Sequence, residues 1–212
     1  MRTEDLIRAI AADAATPPKR LAPAVWVALA VSAAAAWVAA WGMLPPRPEV
    51  DAAFAAVRFP MKFVVTCAFG AAAAALAMRL ARPGAALGAA RIALFGAAAV
   101  LAGAMLVEMY VTPSALWRDR VMGINWLVCL IHVPIFSATP LAVILLAMRR
   151  GAPGSPAGLG AAAGLLAGAI GATAYAAFCP NDSPLFVGVW YTLAVGLVTV
   201  VGAAIGARLL RW

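Results

Sequence analysis

The fold is decided by the stretch Asn125-Trp-Leu-Val-Cys-Leu-Ile-His-Val-Pro-Ile-Phe-Ser-Ala-Thr-Pro140. It belongs to an apolar run long enough to cross a membrane, for which a helix needs about 20 residues. Yet the stretch also carries an amide, a thiol and the single histidine of the chain. Polar and ionisable groups inside a bilayer are costly, and so they mark candidate functional sites. The stretch therefore predicts a membrane helix that also carries a functional site.

The composition is that of an integral membrane protein. Of the 212 residues, 66% are hydrophobic and 11% are charged, whereas soluble domains have roughly 45–50% apolar and 25% charged residues. The apolar runs are continuous rather than alternating, which favours helices over a barrel. We therefore predict an all-α fold, a polytopic transmembrane helix bundle with six spans. The predicted spans are Pro23 to Leu44, Met61 to Arg79, Ile92 to Val111, Gly123 to Met148, Gly158 to Phe178 and Leu185 to Ala207.

The net charge of +8 is better explained by membrane topology than by nucleic-acid binding. If the spans alternate in direction, one side of the membrane carries Arg2, Arg8, Lys19, Arg20, Arg79, Arg82, Arg91, Arg149, Arg150, Arg208 and Arg211. The other side carries only Arg47, Arg58, Lys62, Arg118 and Arg120. Loops rich in Lys and Arg face the cytoplasm. Both termini are therefore predicted to be cytoplasmic, and no direct contact with nucleic acid is expected.

The sequence divides into a cytoplasmic N-terminal tail, residues 1–20, and a six-helix transmembrane domain, residues 21–212. The tail is predicted to form a short amphipathic helix with three apolar side chains on one face, namely Leu6, Ile7 and Ile10. Its first turn holds two carboxylates where the helix dipole favours negative charge, Glu4 and Asp5. Such a helix either lies on the membrane surface or docks by its apolar face in the groove of a partner protein.

The three cysteines, Cys67, Cys129 and Cys179, all fall in the outer half of the membrane under this topology. Cys129 and Cys179 lie at similar depth and can meet if the fourth and fifth spans are neighbours, which their short connection favours. Three interpretations remain open. The thiols are small buried hydrophobes, or a redox pair in an oxidising compartment, or ligands for a soft metal such as zinc, copper(I) or cadmium.

A metal site would need further ligands near the two thiols. His132 follows Cys129 by three residues and Asn125 precedes it by four, so the three share one helix face. Two carboxylates are candidates for a fourth ligand, Glu108 and Asp182. This spacing matches no compact metal motif. Transient soft-metal binding at Cys129 and Cys179 is therefore the only cofactor interaction that the sequence suggests.

Two further patterns bear on packing and on function class. Gly160, Gly164 and Gly168 recur every four residues, which predicts close helix packing within the chain, with dimerisation as the alternative. The chain has no Cys-x-x-Cys, no acidic residue at mid-membrane and no converging serine, histidine and aspartate. We therefore expect a protein that is not an enzyme.

Several motifs together resemble a known family. They are Arg2-Thr-Glu-Asp-Leu-Ile-Arg8, Asn125-Trp-Leu-Val-Cys129, Arg149-Arg-Gly-Ala-Pro153, Cys179-Pro-Asn-Asp-Ser-Pro-Leu-Phe-Val-Gly-Val-Trp190-Tyr and Gly206-Ala-Arg-Leu-Leu-Arg-Trp212. The sequence resembles the NrsF-type (negative regulator of sigma F) proteins, which are six-span inner-membrane anti-sigma factors of Proteobacteria.

The resemblance implies a function and assigns residues to it. The protein would bind an extracytoplasmic-function sigma factor at the cytoplasmic face and release it when a metal or an oxidant acts on outward-facing thiols. Cys129 and Cys179 would be the sensor pair, and the N-terminal helix would contact the sigma factor, while Cys67 receives no role. The remaining expected partners are membrane lipids. The alternative is a small membrane transporter or metal-permeation protein, which would need a polar path through the whole membrane.

Overall fold

The structure is a computed structural model that describes residues 3–5, 7–8, 21–48 and 50–211. Within these ranges the protein is all-helical, with no strand. Six of its helices are long and apolar enough to span a membrane, which confirms the predicted fold class. Residues 3–5 and 7–8 are helical and exposed.

The helices that follow the tail are numbered here from α1 to α8 in chain order. Their bounds are α1 Leu21–Met43, α2 Val50–Ala55, α3 Arg58–Leu80, α4 Gly88–Val111, α5 Trp117–Met122, α6 Trp126–Met148, α7 Pro156–Ala176 and α8 Pro184–Leu209. The six long helices are α1, α3, α4, α6, α7 and α8, and α8 contains a π-helical segment, Val187–Tyr191.

The second and fourth spans do not begin where the sequence predicted. Helix α3 starts at Arg58 rather than Met61, so Arg58 belongs to the helix together with Lys62. Helix α6 starts at Trp126, because Gly123 ends α5 with a φ of +54° that an L side chain rarely adopts. The second span therefore carries one more cationic side chain at its edge, Arg58, than the predicted start at Met61 suggested.

Helix α7 lies at the centre of the bundle and packs against α1, α3, α6 and α8. Its glycine stripe faces α8: Gly160 contacts Gly202 and Gly206, and a Cβ at Gly164 would lie 2.6 Å from the carbonyl oxygen of Val198. The two helices therefore approach backbone to backbone, which only glycine permits at these positions. This confirms that the stripe packs within the chain.

Two buried clusters divide the bundle along its length. The terminal-side cluster includes Val25, Ala77, Met148, Leu159 and Leu210, and it lies at the end where α1 begins and α8 ends. The thiol-side cluster lies at the opposite end and includes Ala40, Cys129, Tyr175, Cys179 and Phe186. We refer to these two ends of the molecule as the terminal end and the thiol end. The start of α1 and the end of α8 thus lie at the same end of the bundle.

The loops of the terminal end form one surface. The backbone N–H of Ala152 donates to the carbonyl oxygen of Ala81 at 3.0 Å, which ties the α6–α7 loop to the α3–α4 loop. These loops and the end of α8 contain arginines but no acidic residue. The arginines of this surface are Arg79, Arg82, Arg91, Arg149, Arg150, Arg208 and Arg211.

The central packing of α7 can be tested with a matched pair of valine substitutions. Gly164→Val should destabilise the protein by at least about 1–3 kcal/mol, the usual cost of overpacking, because the new side chain would collide with the backbone of α8. Gly103→Val in α4 is the control, since a Cβ there meets nothing within 4 Å. Thermal unfolding in detergent measures both variants. Equal stability of the two would contradict the proposed α7–α8 contact.

Candidate functional site

The loop between α7 and α8 is held at the thiol end by two cations that share one carboxylate. Arg47 binds Asp182 with both arms of its guanidinium: Nη1 lies 2.9 Å from Oδ1 and Nη2 lies 2.7 Å from Oδ2. The Nζ of Lys62 lies 2.6 Å from the same Oδ1. Two-armed pairing of this kind is among the stronger charged hydrogen bonds and also fixes geometry.

The same two cations hold the main chain of Cys179. The Nζ of Lys62 donates to the carbonyl oxygen of Cys179 at 2.9 Å, and Nη1 of Arg47 donates to the same oxygen at 3.1 Å. The ring of Phe59 lies 5.0 Å from each cationic group, within the range of cation–π attraction. We call the arrangement of Arg47, Lys62, Asp182 and the Cys179 carbonyl the Asp182 network.

The Asp182 network compensates for a costly burial. Lys62 is only 2% exposed, and a buried ammonium is tolerated only where paired and hydrogen-bonded. Burial of Asp182 acts to raise the pKa of its carboxyl, but the hydrogen bonds from Arg47 and Lys62 outweigh it. The pKa of Asp182 is therefore held below its ordinary value. The carboxylate remains ionised throughout the neutral range and can keep both cations in place.

Cys129 and Cys179 lie together in the thiol-side cluster, at 0% and 1% exposure, and both are free thiols. Helix α6 carries Cys129, and Cys179 follows the end of α7; the two helices are neighbours, as expected. The two thiols are close enough to interact electrostatically. Cys67 is exposed on α3, whereas the other two thiols are buried. The proximity of Cys129 and Cys179 permits joint chemistry, while their sensing role remains a prediction.

Two tyrosines that the sequence did not single out lie beside the thiols. The rings of Tyr175 and Tyr191 are 5.8 Å apart and both are buried. Each is within electrostatic reach of Cys129 and Cys179. The hydroxyl groups of both tyrosines interact with the thiol of Cys179. The thiol pair therefore lies in apolar surroundings that nevertheless contain polar hydroxyl groups.

Three other candidate ligands, His132, Asn125 and Glu108, have surroundings that differ from those of the two thiols. His132 is half-buried, and its Nδ1 donates to the carbonyl oxygen of Val128 at 2.9 Å, one turn back in α6. Asn125 is the N-cap residue of α6, although its side chain makes no capping hydrogen bond. Glu108 is buried and accepts from Nε of Arg58 at 3.0 Å, with Nε of Arg120 at 4.0 Å.

The structure does not assemble the metal ligands that the sequence suggested. Among the residues it describes, no three His, Cys, Asp or Glu side chains come together where they could hold a metal ion. The physical reason is that Asp182 and Glu108 are both engaged by cations. The part of His132, Asn125, Glu108 and Asp182 in supporting a metal at the two thiols therefore remains a prediction.

An open cleft gives access to the loop from the thiol end. It has a volume of about 480 Å³ and is lined by Asp119, Arg120, Asn181, Asp182 and Ser183, among other residues. The side-chain oxygen of Asn181 accepts from the backbone N–H of Ile124 at 3.2 Å, which joins the loop to the start of α6. A small polar molecule or ion can thus approach the Cys179 loop from outside the bundle.

Arg47 and Lys62 have structural roles that their positions in the sequence did not predict; there they contributed only to the charge balance of the loops. Lys62 lies within the first two turns of an apolar helix, and an ionisable residue there is itself a candidate functional group. That signal was present in the sequence. The identity of its partner was not, because Lys62 and the Cys179 carbonyl are 117 residues apart.

The N-terminal residues assigned to partner binding are only partly described. Glu4, Asp5 and Ile7 are exposed, Ile7 to 60%. Leu6 and Ile10 lie outside the described residues. The predicted apolar contact face of the tail therefore remains a prediction.

Comparison with known proteins identifies relatives along the whole chain. Residues 10–212 match the family described as negative regulator of sigma F. The chain is 33% identical over 224 residues to a Caulobacter vibrioides protein named anti-sigma-F factor, covering all of both chains. It is 33% identical over 222 residues to a probable anti-sigma-F factor of Azospira oryzae, again covering all of both. No solved structure gives a significant match.

The pH dependence of the Asp182 network can be tested with Asp182→Asn. Loss of the charge should destabilise the protein by about 3 kcal/mol, because it leaves Lys62 buried with a weakened counter-charge. The native pKa of Asp182 is lowered, so this stabilisation is present above the unfolded value of about 3.9 and is lost only as the pH falls through the lower native pKa.

The difference in thermal stability between wild type and Asp182→Asn should therefore be constant from about pH 5 to pH 8, well above the ordinary pKa of an aspartate. Asp119→Asn, which removes an exposed carboxylate of the same end, should change stability little at any pH. A difference that shrinks between pH 8 and pH 5 would show that Asp182 is not held ionised as described.

Proposed function

The chain belongs to the negative regulator of sigma F family of anti-sigma factors, and on this basis we propose that it binds an extracytoplasmic-function sigma factor and holds it inactive. A metal or oxidant signal acting on Cys129 and Cys179 then releases the sigma factor. The observation that carries the proposal is the 33% identity to an anti-sigma-F factor over the full length of both chains. The role is regulatory rather than enzymatic.

The charge distribution supports the proposed orientation in a bacterial inner membrane. Seven arginines and no acidic residue occupy the loops of the terminal end and the end of α8, and such loops face the cytoplasm. In this orientation the N-terminal tail lies in the cytoplasm, where the sigma factor is. The thiol end, with its open cleft, faces the periplasm, where external metals and oxidants arrive.

The proposed contact with the sigma factor is the apolar face of the N-terminal helix, formed by Leu6, Ile7 and Ile10, with Glu4 and Asp5 beside it. A short amphipathic helix is marginal alone in water and gains stability by laying its apolar face in a groove of a partner. The exposure of Ile7, 60% of its surface, supports this proposal, because an exposed apolar side chain is available to a partner.

The proposed signal step is a reaction of the thiol pair. A soft metal cation would bind both sulfurs and displace their protons. Alternatively, an oxidant would accept two electrons and two protons from the two thiols and leave a disulfide, with the sulfurs about 2.05 Å apart. Formation of the disulfide draws Cys179 toward Cys129. To move a partner from almost fully bound to almost fully free needs about 5.5 kcal/mol of differential binding.

No specific observation favours the alternative function, that of a membrane transporter. The ion pairs among the described residues all lie at the thiol end. A transport path would need polar groups through the whole membrane.

The thiol step is tested by capture of the sigma factor from membranes. Wild-type protein should capture it in untreated membranes and release it when cadmium or a thiol oxidant is added. The double variant Cys129→Ser with Cys179→Ser should retain it under treatment. The matched control is Cys67→Ser, which should respond like wild type because Cys67 is exposed and is not part of the buried pair. If wild type captures no sigma factor, the proposed function is wrong.

The tail contact is tested by placing a charge on its apolar face. Ile7→Asp should abolish capture of the sigma factor, because a desolvated carboxylate without a partner is costly in an apolar groove. Val57→Asp is the control, since Val57 is an apolar residue of the thiol end that is 82% exposed. It should capture the sigma factor normally. Unchanged capture by Ile7→Asp would exclude the N-terminal helix as the main contact.

A further inference from the structure

We infer that Lys62 and Arg47 are positioning residues for Cys179, and that the Asp182 network holds the protein in its signal-free state. This inference rests on the proposed function, because it names the part of the structure that the thiol reaction must disturb. It concerns charged residues that lie outside the thiol pair and that the family resemblance does not assign to sensing.

The main chain of Cys179 is held by the same two cations that bind Asp182. Lys62 and Arg47 both donate to the Cys179 carbonyl and both pair with the carboxylate three residues later. The loop is therefore held at two points by one pair of side chains. Because the hydrogen bonds are short and directional, the backbone of Cys179 cannot shift toward Cys129 while they remain intact.

The Asp182 network also joins Cys179 to two different helices. Lys62 belongs to α3, and Arg47 follows closely after the end of α1. Helices α1 and α3 both pack on α7. Helix α1 begins directly after the N-terminal tail and runs to the thiol end. A displacement of Cys179 is thus passed through Arg47 to the helix that leads to the proposed sigma-factor contact.

A second ion pair at the thiol end is not connected to the Cys179 loop by a hydrogen bond or an ion pair. Arg58 is the first residue of α3 and pairs with buried Glu108 on α4, with Nη2 2.8 Å from Oε2. Its hydrogen bond and its ion pair both go to Glu108 and not to the Cys179 loop. It therefore provides a matched control, since its loss removes a charged hydrogen bond at the thiol end without touching Cys179.

The first experiment measures the position of Cys179 without a sigma factor. In protein carrying Cys67→Ser and Cys129→Ser, the rate at which Cys179 reacts with a maleimide in membranes is compared among Lys62→Met, Arg47→Gln and Arg58→Gln. Lys62→Met and Arg47→Gln should each raise the rate by about tenfold, the change expected when one hydrogen bond to a charged group is lost. Arg58→Gln should leave the rate unchanged.

The second experiment measures signal-free release in cells with a reporter for the sigma factor. Lys62→Met and Arg47→Gln should each raise reporter activity without any signal, at membrane levels equal to wild type, and should do so even with Cys129→Ser and Cys179→Ser present. Arg58→Gln should repress normally. If the Lys62→Met protein does not accumulate in the membrane, Arg47→Gln decides the test alone, because this variant leaves Lys62 paired with Asp182.

Unchanged maleimide rates in both variants would overturn the inference, whatever the sigma factor does. Equal effects of Arg58→Gln would also overturn it, since they would reflect general destabilisation of the thiol end. Failure of the proposed function has a different signature, because the reporter would then ignore wild-type protein while the maleimide rates still differed among the variants.

Discussion

The rest of the structure depends on how closely helices can approach α7. In a bilayer the lipid chains are as apolar as the side chains, so helices associate through close packing rather than through burial from water. The glycines and alanines of α7 let α1, α3, α6 and α8 contact it, with α8 meeting it backbone to backbone. Gly171 provides the matching contact with α6, where a Cβ would lie 2.9 Å from the carbonyl oxygen of Val133.

This packing determines where the thiols meet. Cys129 lies near the start of α6, and Cys179 follows the end of α7, so the close contact of these two antiparallel helices places both in one buried cluster. Peripheral helix α4 contributes little to that cluster and is the least buried of the six spans. The two thiols thus lie where the best-packed part of the bundle meets the loops of the thiol end.

The two ends of the bundle hold charge in opposite ways. The described loops of the terminal end present arginines without carboxylates, which suits a surface beside anionic lipids or an acidic partner. The thiol end neutralises its cations with Asp182 and Glu108. Paired charges hold a loop rigidly until one hydrogen bond is lost, after which the remaining buried charge favours a rearrangement. A site of this kind suits a protein that must stay in one state until a signal arrives.

The sequence predicted what depends on local pattern. Runs of apolar residues gave the six spans, spacing of four predicted the glycine stripe, and a short connection predicted that Cys129 and Cys179 are neighbours. It could not predict pairs distant in the chain, such as Arg47 with Asp182, 135 residues apart. Because such partners are not visible in the sequence, Glu108, Asp182 and His132 were predicted as metal ligands, although each has another partner in the structure. The assigned roles of the cysteines and of the tail remain predictions.

The central claim is that a reaction of the thiols on one side of a membrane releases a sigma factor from the other side. It is tested most directly in vesicles that contain the purified protein in one orientation, with the terminal end outside and a labelled sigma factor bound there. A membrane-impermeant thiol oxidant is either enclosed in the vesicles or added outside. The account predicts release only when the oxidant is enclosed with the thiol end. Release by external oxidant alone, or no release from either side, would contradict it.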